Sequence, residues 1–164
     1  MIDPKQDDLS AFADWYLREG PRHIQPPAQD TMMHIEGITG LCIYRNNPFQ
    51  VELFLVRPNV TVPQHLHPNV DSYEVFLYGV EFSANNEIRI PYEDRLNPRW
   101  RYDTIRIKPN CWHGGRAGPE GGAFMSIQHW LNGIKPSRVI DDWAGNTICE
   151  NHNKYIKEKT HGNS

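Results

Sequence analysis

The sequence predicts an all-β protein, a single small antiparallel barrel or sandwich with helix only near its ends. Short runs rich in Val, Phe, Tyr, Leu and Ile recur at close spacing from Gly37 onward, as strands do. Turn residues punctuate them at Asn46-Asn47-Pro48, Pro58-Asn59, Pro68-Asn69, Gly114-Gly115 and Gly118-Pro119-Glu120-Gly121-Gly122. The one clear helical periodicity lies before the strand region, which excludes an alternating α/β architecture.

Taken in order, Asp7 and Asp8 precede Leu9, Phe12, Ala13, Tyr16 and Leu17. That spacing puts all five apolar residues on one helical face, and Gly20-Pro21 ends the helix. So short a helix is not stable alone in water, so its stripe is expected to dock on the body of the domain. A loop runs through Pro26-Pro27. Strands are predicted at residues 41–45, 50–57, 61–67, 73–82, 104–108 and 123–131. The stretch 83–101 carries Asn85-Asn86, Pro91, Pro98 and several charges, and reads as a surface excursion. Within it, Tyr92, Arg95, Arg99, Trp100 and Arg101 make a solvated loop, with a lid or a partner-binding surface as the alternatives. After Gly133 the chain reads as an arm, in which residues 139–143 return to the barrel. The domain plan is thus a lead-in at 1–35, a barrel at 36–133 and an arm at 134–164.

With 164 residues the chain suits one domain. Seventeen basic and twenty acidic side chains leave a formal charge of -3, so no positive field gathers nucleic acid. The start, MIDPKQDD, is polar and acidic, unlike a signal peptide. No apolar stretch approaches the ~20 residues that cross a bilayer. Three scattered cysteines suit a reducing compartment better than a disulfide framework. The expectation is a cytoplasmic protein with neither nucleic-acid nor membrane partners.

Four of the eight histidines fall between residues 61 and 129. His65 and His67 are two apart on a predicted strand, so their imidazoles share a face. Glu74 lies past the Pro68-Asn69 turn, where the chain returns alongside. His113 comes from a distant segment, after Pro109-Asn110. Two or three imidazoles with one carboxylate suit Fe(II), Mn(II), Ni(II) or Zn(II) better than Mg or Ca.

These segments resemble the two motifs of the cupin superfamily. His65-Leu66-His67, Glu74 and Gly79 are similar to the first motif. The stretch from Asp103 through Ile107, Pro109 and Asn110 to His113 is similar to the second. Together they cover about a third of the chain. There are departures. Family members usually have three or four residues between the second histidine and the glutamate, whereas six separate His67 from Glu74. Asp71 stands at the shorter distance and is the alternative carboxylate. In the second motif Tyr102, Lys108, Asn110 and Ala117 replace the usual Gly, Pro, Gly and Asn; asparagine tolerates the positive φ of a turn.

The resemblance implies a cupin barrel, a double-stranded β-helix of jelly-roll type, with a divalent metal on His65, His67, Glu74 and His113. It also implies a homodimer, since cupins often pair through terminal strands and arms. If Glu74 faces inward, Phe76 and Tyr78 face inward with it. On the last strand Met125, Ile127 and His129 form the more core-like face, which makes His129 a candidate acid/base beside Tyr78. Arg57, Gln64 and Arg106 are candidates for holding a substrate carboxylate, and Trp112 for a substrate platform or packing. Cupins span dioxygenases, isomerases, epimerases and lyases, and also non-catalytic binding or structural barrels. The expected chemistry is Fe(II)-dependent dioxygenation of a small organic acid or thiol. Metal-dependent isomerisation or lysis, and a non-enzymatic role, are the alternatives.

Overall fold

The computed structural model describes residues 7–20, 32–35, 37–84, 87–89, 103–137 and 147–149. Helix α1 spans Asp8–Glu19. Its N-cap is Asp7, whose carboxylate accepts the Ser10 N–H at 2.9 Å, which satisfies one of the free donors of the first turn. The predicted stripe is the buried one, with Leu9, Phe12, Ala13 and Tyr16 turned inward.

Eleven strands occur among the described residues: β1 (Met32–Ile35), β2 (Ile38–Asn46), β3 (Phe49–Val56), β4 (Thr61–Leu66), β5 (Val70–Tyr78), β6 (Val80–Ala84), β7 (Glu87–Arg89), β8 (Thr104–Ile107), β9 (His113–Ala117), β10 (Gly122–Trp130) and β11 (Ile148–Cys149). They form two antiparallel sheets. The first has the order β1-β2-β3-β10-β5-β8 and the second β11-β4-β9-β6-β7. From β3 to β6 each turn carries the chain from one sheet to the other, as do the turns joining β8, β9 and β10. Residues close in sequence therefore face each other across the interior.

The stretch predicted as one strand, 73–82, is two. Gly79, at φ +67°, breaks it and sends β6 into the opposite sheet. A Cβ there would lie 2.0 Å from the Gly121 carbonyl oxygen, so the turn requires glycine twice over. The predicted turn at Gly114-Gly115 is instead strand β9. A Cβ on Gly114 would meet the Val62 carbonyl oxygen at 2.7 Å, so a neighbouring backbone occupies the place of a side chain. Strand β11 lies in the segment read as an arm, and β1 in the segment read as lead-in. Tyr92, Arg95, Arg99, Trp100, Arg101 and residues 139–143 lie outside the described residues.

Two cores result. Between the sheets pack Phe54, Val56, Val62, Phe76, Phe82, Ile107, Phe124 and Trp130. Outside the first sheet, α1 covers Tyr44, Val51, Val75 and Ile127, with the Phe12 ring stacked on Phe49 at 4.3 Å. Burying Leu9 and Phe12 alone contributes roughly 3–6 kcal/mol. This second core overturns the expected facing of β10. Its odd residues lie under the helix. Its even residues Phe124, Ser126, Gln128 and Trp130 line the interior.

Candidate metal centre

The β4–β9 pairing brings the histidines together, because His65 and His113 are direct register partners. His67 follows β4 on the same face as His65. Ring centroids are 4.1 Å apart for His65–His113, 4.9 Å for His65–His67 and 5.1 Å for His67–His113. One ligand atom from each can be chosen so that all lie within 4.8 Å of one another. All three side chains are buried. A bulge in β4 between Val62 and His65 sets this aim: both face the interior although they are three residues apart.

The second nitrogen of each ring is already engaged. His65 Nδ1 lies 2.7 Å from the Pro63 carbonyl oxygen and His113 Nδ1 lies 2.8 Å from that of Cys111. A carbonyl only accepts, so Nδ1 carries the hydrogen and Nε2 keeps its lone pair. His67 Nδ1 lies 3.0 Å from the Thr147 hydroxyl. Burial pushes His65 below the ordinary imidazole value. It pushes His113 well below, helped by the two neighbouring imidazoles. Neutral imidazoles that offer an Nε2 lone pair, as His65 and His113 do, are what a divalent transition ion requires, and with His67 beside them the donor set fits one.

The histidines belong to the second sheet. The first sheet supplies Glu74 from β5 and Ser126 from β10, across a cavity whose apolar walls are Ile38, Phe54, Val62, Phe82 and Phe124. The cavity volume is about 20 Å³. Glu74 Oε1 accepts two hydrogen bonds, from Ser72 and Ser126 hydroxyls, each 3.0 Å long. Its Oε2 is buried and has no hydrogen-bond partner. Burial pushes the carboxyl up to about 7, against the opposing pull of the two serines.

Comparison with known proteins reaches the fold. No protein-family model and no curated protein matches the chain. Among solved structures, an RmlC-like cupin from Shewanella frigidimarina aligns with a TM-score of 0.52 at 14% identity, covering 68% of this chain and 93% of its own. KdgF from Halomonas sp. aligns with a TM-score of 0.50 at 16% identity, covering 62% and 88%. The fold is that of the cupins.

Against the cupin spacing, with four residues intervening after His67 the inward position is Ser72, and the carboxylate stands one inward step further along β5. Two strand residues span about 7 Å. Glu74 accordingly shares the cavity without joining the cluster of ligand atoms, so the geometry offers three ligands rather than the expected four. Asp71 faces the other way. Its two oxygens take Arg106 Nε at 3.1 Å and Nη2 at 2.7 Å.

The remaining candidates lie away from the cavity. Tyr78 is 52% exposed at the end of β5, where the strand has left the interior. His129 is on the helix side of β10, its ring 4.9 Å from that of Phe49, beside an outer groove that also involves Asp8, Phe12 and Trp15. Arg106 is committed to structure, because besides Asp71 it binds Asp7 of the helix cap. Gln64 lies over Gly114 on the outer face and donates to the Ser83 hydroxyl at 3.2 Å. Arg57 is exposed at the end of β3, and Trp112 is 44% exposed beside its inward neighbour His113. Sequence reasoning missed Thr147, Ser72 and Ser126. Only Ser72 had a signal, since it shares the inward parity of Glu74.

Proposed function

We propose that this cupin is a metal-dependent enzyme acting on a small molecule in the cavity between its sheets. The observation that carries the reading is the convergence of three buried imidazoles whose Nδ1 atoms are all engaged elsewhere. Three polar side chains in an apolar barrel are costly unless something binds them. A divalent ion held by His65, His67 and His113 would supply Lewis acidity and, as iron, redox chemistry. The chain's own contribution is to exclude bulk water with its phenylalanine walls, to keep His65 and His113 neutral by burial and to present Glu74 from the opposite sheet.

Fe(II)-dependent dioxygenation of a small organic acid or thiol is the chemistry we propose first. A set of three nitrogen ligands leaves positions open on a six-coordinate ion, and the small cavity favours a compact substrate. Isomerisation or lysis with Mn(II), Ni(II) or Zn(II) is the second reading, and Glu74 favours it, since a carboxyl near neutral pKa suits proton transfer. A homodimer, implied by the family resemblance, and a cytoplasmic location, expected from the polar start and the scattered cysteines, remain proposals. No helix among the described residues is long and apolar enough to cross a membrane.

Elemental analysis of protein purified without chelator or affinity histidines tests the reading. We expect about one ion per chain, its loss in His65→Ala, and a melting temperature several degrees lower in chelator. Oxygen uptake with the iron form separates the first chemistry from the second. A chain with no bound metal and a melting curve indifferent to chelator would refute the enzyme proposal.

A further inference from the structure

We propose that Glu74 is the substrate's second point of attachment rather than a metal ligand, so that the molecule taken up carries two polar groups. One is a donor atom for the ion; the other is a hydroxyl or amine that donates a hydrogen bond to Glu74 Oε2. The inference rests on the three-imidazole centre proposed above and adds to it a substrate class.

Three observations carry it. The first is placement. Glu74 enters the cavity from β5 of one sheet while the histidines enter from β4 and β9 of the other, and the same apolar walls enclose both. The second is the carboxylate's fixed orientation. Two hydroxyl donors use the lone pairs of Oε1, and Ser126 itself accepts from Gln128 Nε2 at 3.2 Å. Gln128 Nε2 also donates to Glu52 at 2.9 Å, and Gln50 donates to the Gln128 side-chain oxygen at 2.9 Å. A buried polar lattice thus prevents the carboxyl from turning to find another donor. The third is the orphan itself: Oε2 is buried and has no partner, on a residue that lines the cavity. An unpaired buried polar atom calls for an explanation, and a ligand that supplies the missing hydrogen bond is a direct one.

The chemistry sets the preference. A ligand bearing a donor pairs with Oε2. A ligand of the same shape without one leaves that oxygen buried and unpaired, which is the circumstance in which a site discriminates strongly for a hydroxyl. The cavity is small, which suits a compact ligand.

The test uses the full chain loaded with Co(II), whose visible spectrum reports its ligands, and two thiols that differ by one hydroxyl. On binding, the thiol gives its proton to solvent and the thiolate sulfur enters the ion's shell, adding a sulfur-to-cobalt absorption band. 2-Mercaptoethanol carries the hydroxyl and ethanethiol does not. We expect wild-type protein to bind 2-mercaptoethanol at least about tenfold more tightly. In Glu74→Gln the amide presents a donor to the cavity, and that preference should fall below about twofold, with cobalt stoichiometry and spectrum unchanged in the absence of thiol. Glu74→Ala should behave alike, and melting curves check that both variants fold.

Loss or spectral change of cobalt in Glu74→Gln would make Glu74 a ligand and overturn the inference while leaving the metal centre standing. An equal preference in wild type and both variants would also overturn it, since the hydroxyl would then be recognised elsewhere. Failure of wild-type protein to bind cobalt would remove the metal centre, and this inference with it.

Discussion

Glu74 provides a quantitative test that needs neither metal nor substrate. Its carboxyl stands at about 7 in the folded chain, against an ordinary value of 4.5, because burial penalises the charged form more than the two serines favour it. Below pH 4.5 the group is protonated in both folded and unfolded chains and costs nothing. As pH rises from 4.5 to 7 the unfolded chain releases the proton and the folded chain keeps it, so stability falls across that window and is level above it. A shift of two to three pH units corresponds to about 3 kcal/mol. Glu74→Gln keeps the shape and the acceptor for Ser72 and Ser126, but never ionises. Metal-free variant and wild type should therefore match near pH 4.5, and the variant should be more stable by about 3 kcal/mol at pH 8, roughly 6–12 °C in Tm for a chain of this size. His65 and His113 act in the opposite direction, losing stability as pH falls below the ordinary imidazole value, but they do so in both proteins and cancel in the difference. Circular dichroism melts in chelator from pH 4.5 to 8 measure it. A stability difference that stays flat with pH, or a variant less stable at pH 8, would refute the assignment of a buried, unpaired carboxyl.

Three further outcomes are expected from the packing. Gly79→Ala should cost about 3 kcal/mol, because the residue needs φ +67° and its Cβ would lie 2.0 Å from the Gly121 carbonyl oxygen; urea unfolding checks this. Arg106→Met should cost about 1–3 kcal/mol by the same assay without changing metal content, since it strips Asp71 of its two-pronged partner and frees the helix cap. His129→Ala should leave metal stoichiometry and any turnover unchanged, because the residue lies on the helix side of β10; a large loss of activity would contradict that placement.

The parts of the site that were legible in sequence are those where local geometry decides. An H-x-H pair on a strand shares a face by the period of two, and the Pro109-Asn110 turn does deliver His113, with Asn110 at φ 63°. The fold class came from strand spacing and turn chemistry, and α1 from its apolar stripe. The features that could not be read depend on partners distant in sequence. Strand β9 looked like a turn because glycine usually marks one, whereas Gly114 and Gly115 are small to admit the carbonyls of Val62 and Glu81. The facing of β10 was inverted because both of its faces are buried, and apolar alternation is informative only when one face meets water. The bulge in β4 shifts the parity of the residues beyond it, and a second irregularity in β5, where Phe124 pairs with Phe76 but Ala123 pairs with Tyr78, is why Tyr78 does not keep company with Glu74.

The inverted facing explains a feature that stability alone does not. A two-sheet sandwich ordinarily keeps its apolar residues inside. Here one stretch of the first sheet reverses this: Val51, Val75 and Ile127 face outward, while Gln50, Glu52, Ser72, Glu74, Ser126 and Gln128 face the interior and are buried. Register makes the polar set continuous, with Gln50 opposite Gln128, Glu52 opposite Ser126, and Ser126 opposite Glu74. Such a wall is tolerable only when its groups are hydrogen-bonded, and the Gln50–Gln128–Glu52 lattice supplies those bonds. Helix α1 then has a definite task, since without it the outward valines and isoleucine would meet water. An apolar inner wall would need neither the lattice nor the helix. The arrangement makes sense if the interior must present one rigidly aimed carboxyl to the three imidazoles opposite, and the unpartnered oxygen of Glu74 is where that lattice ends.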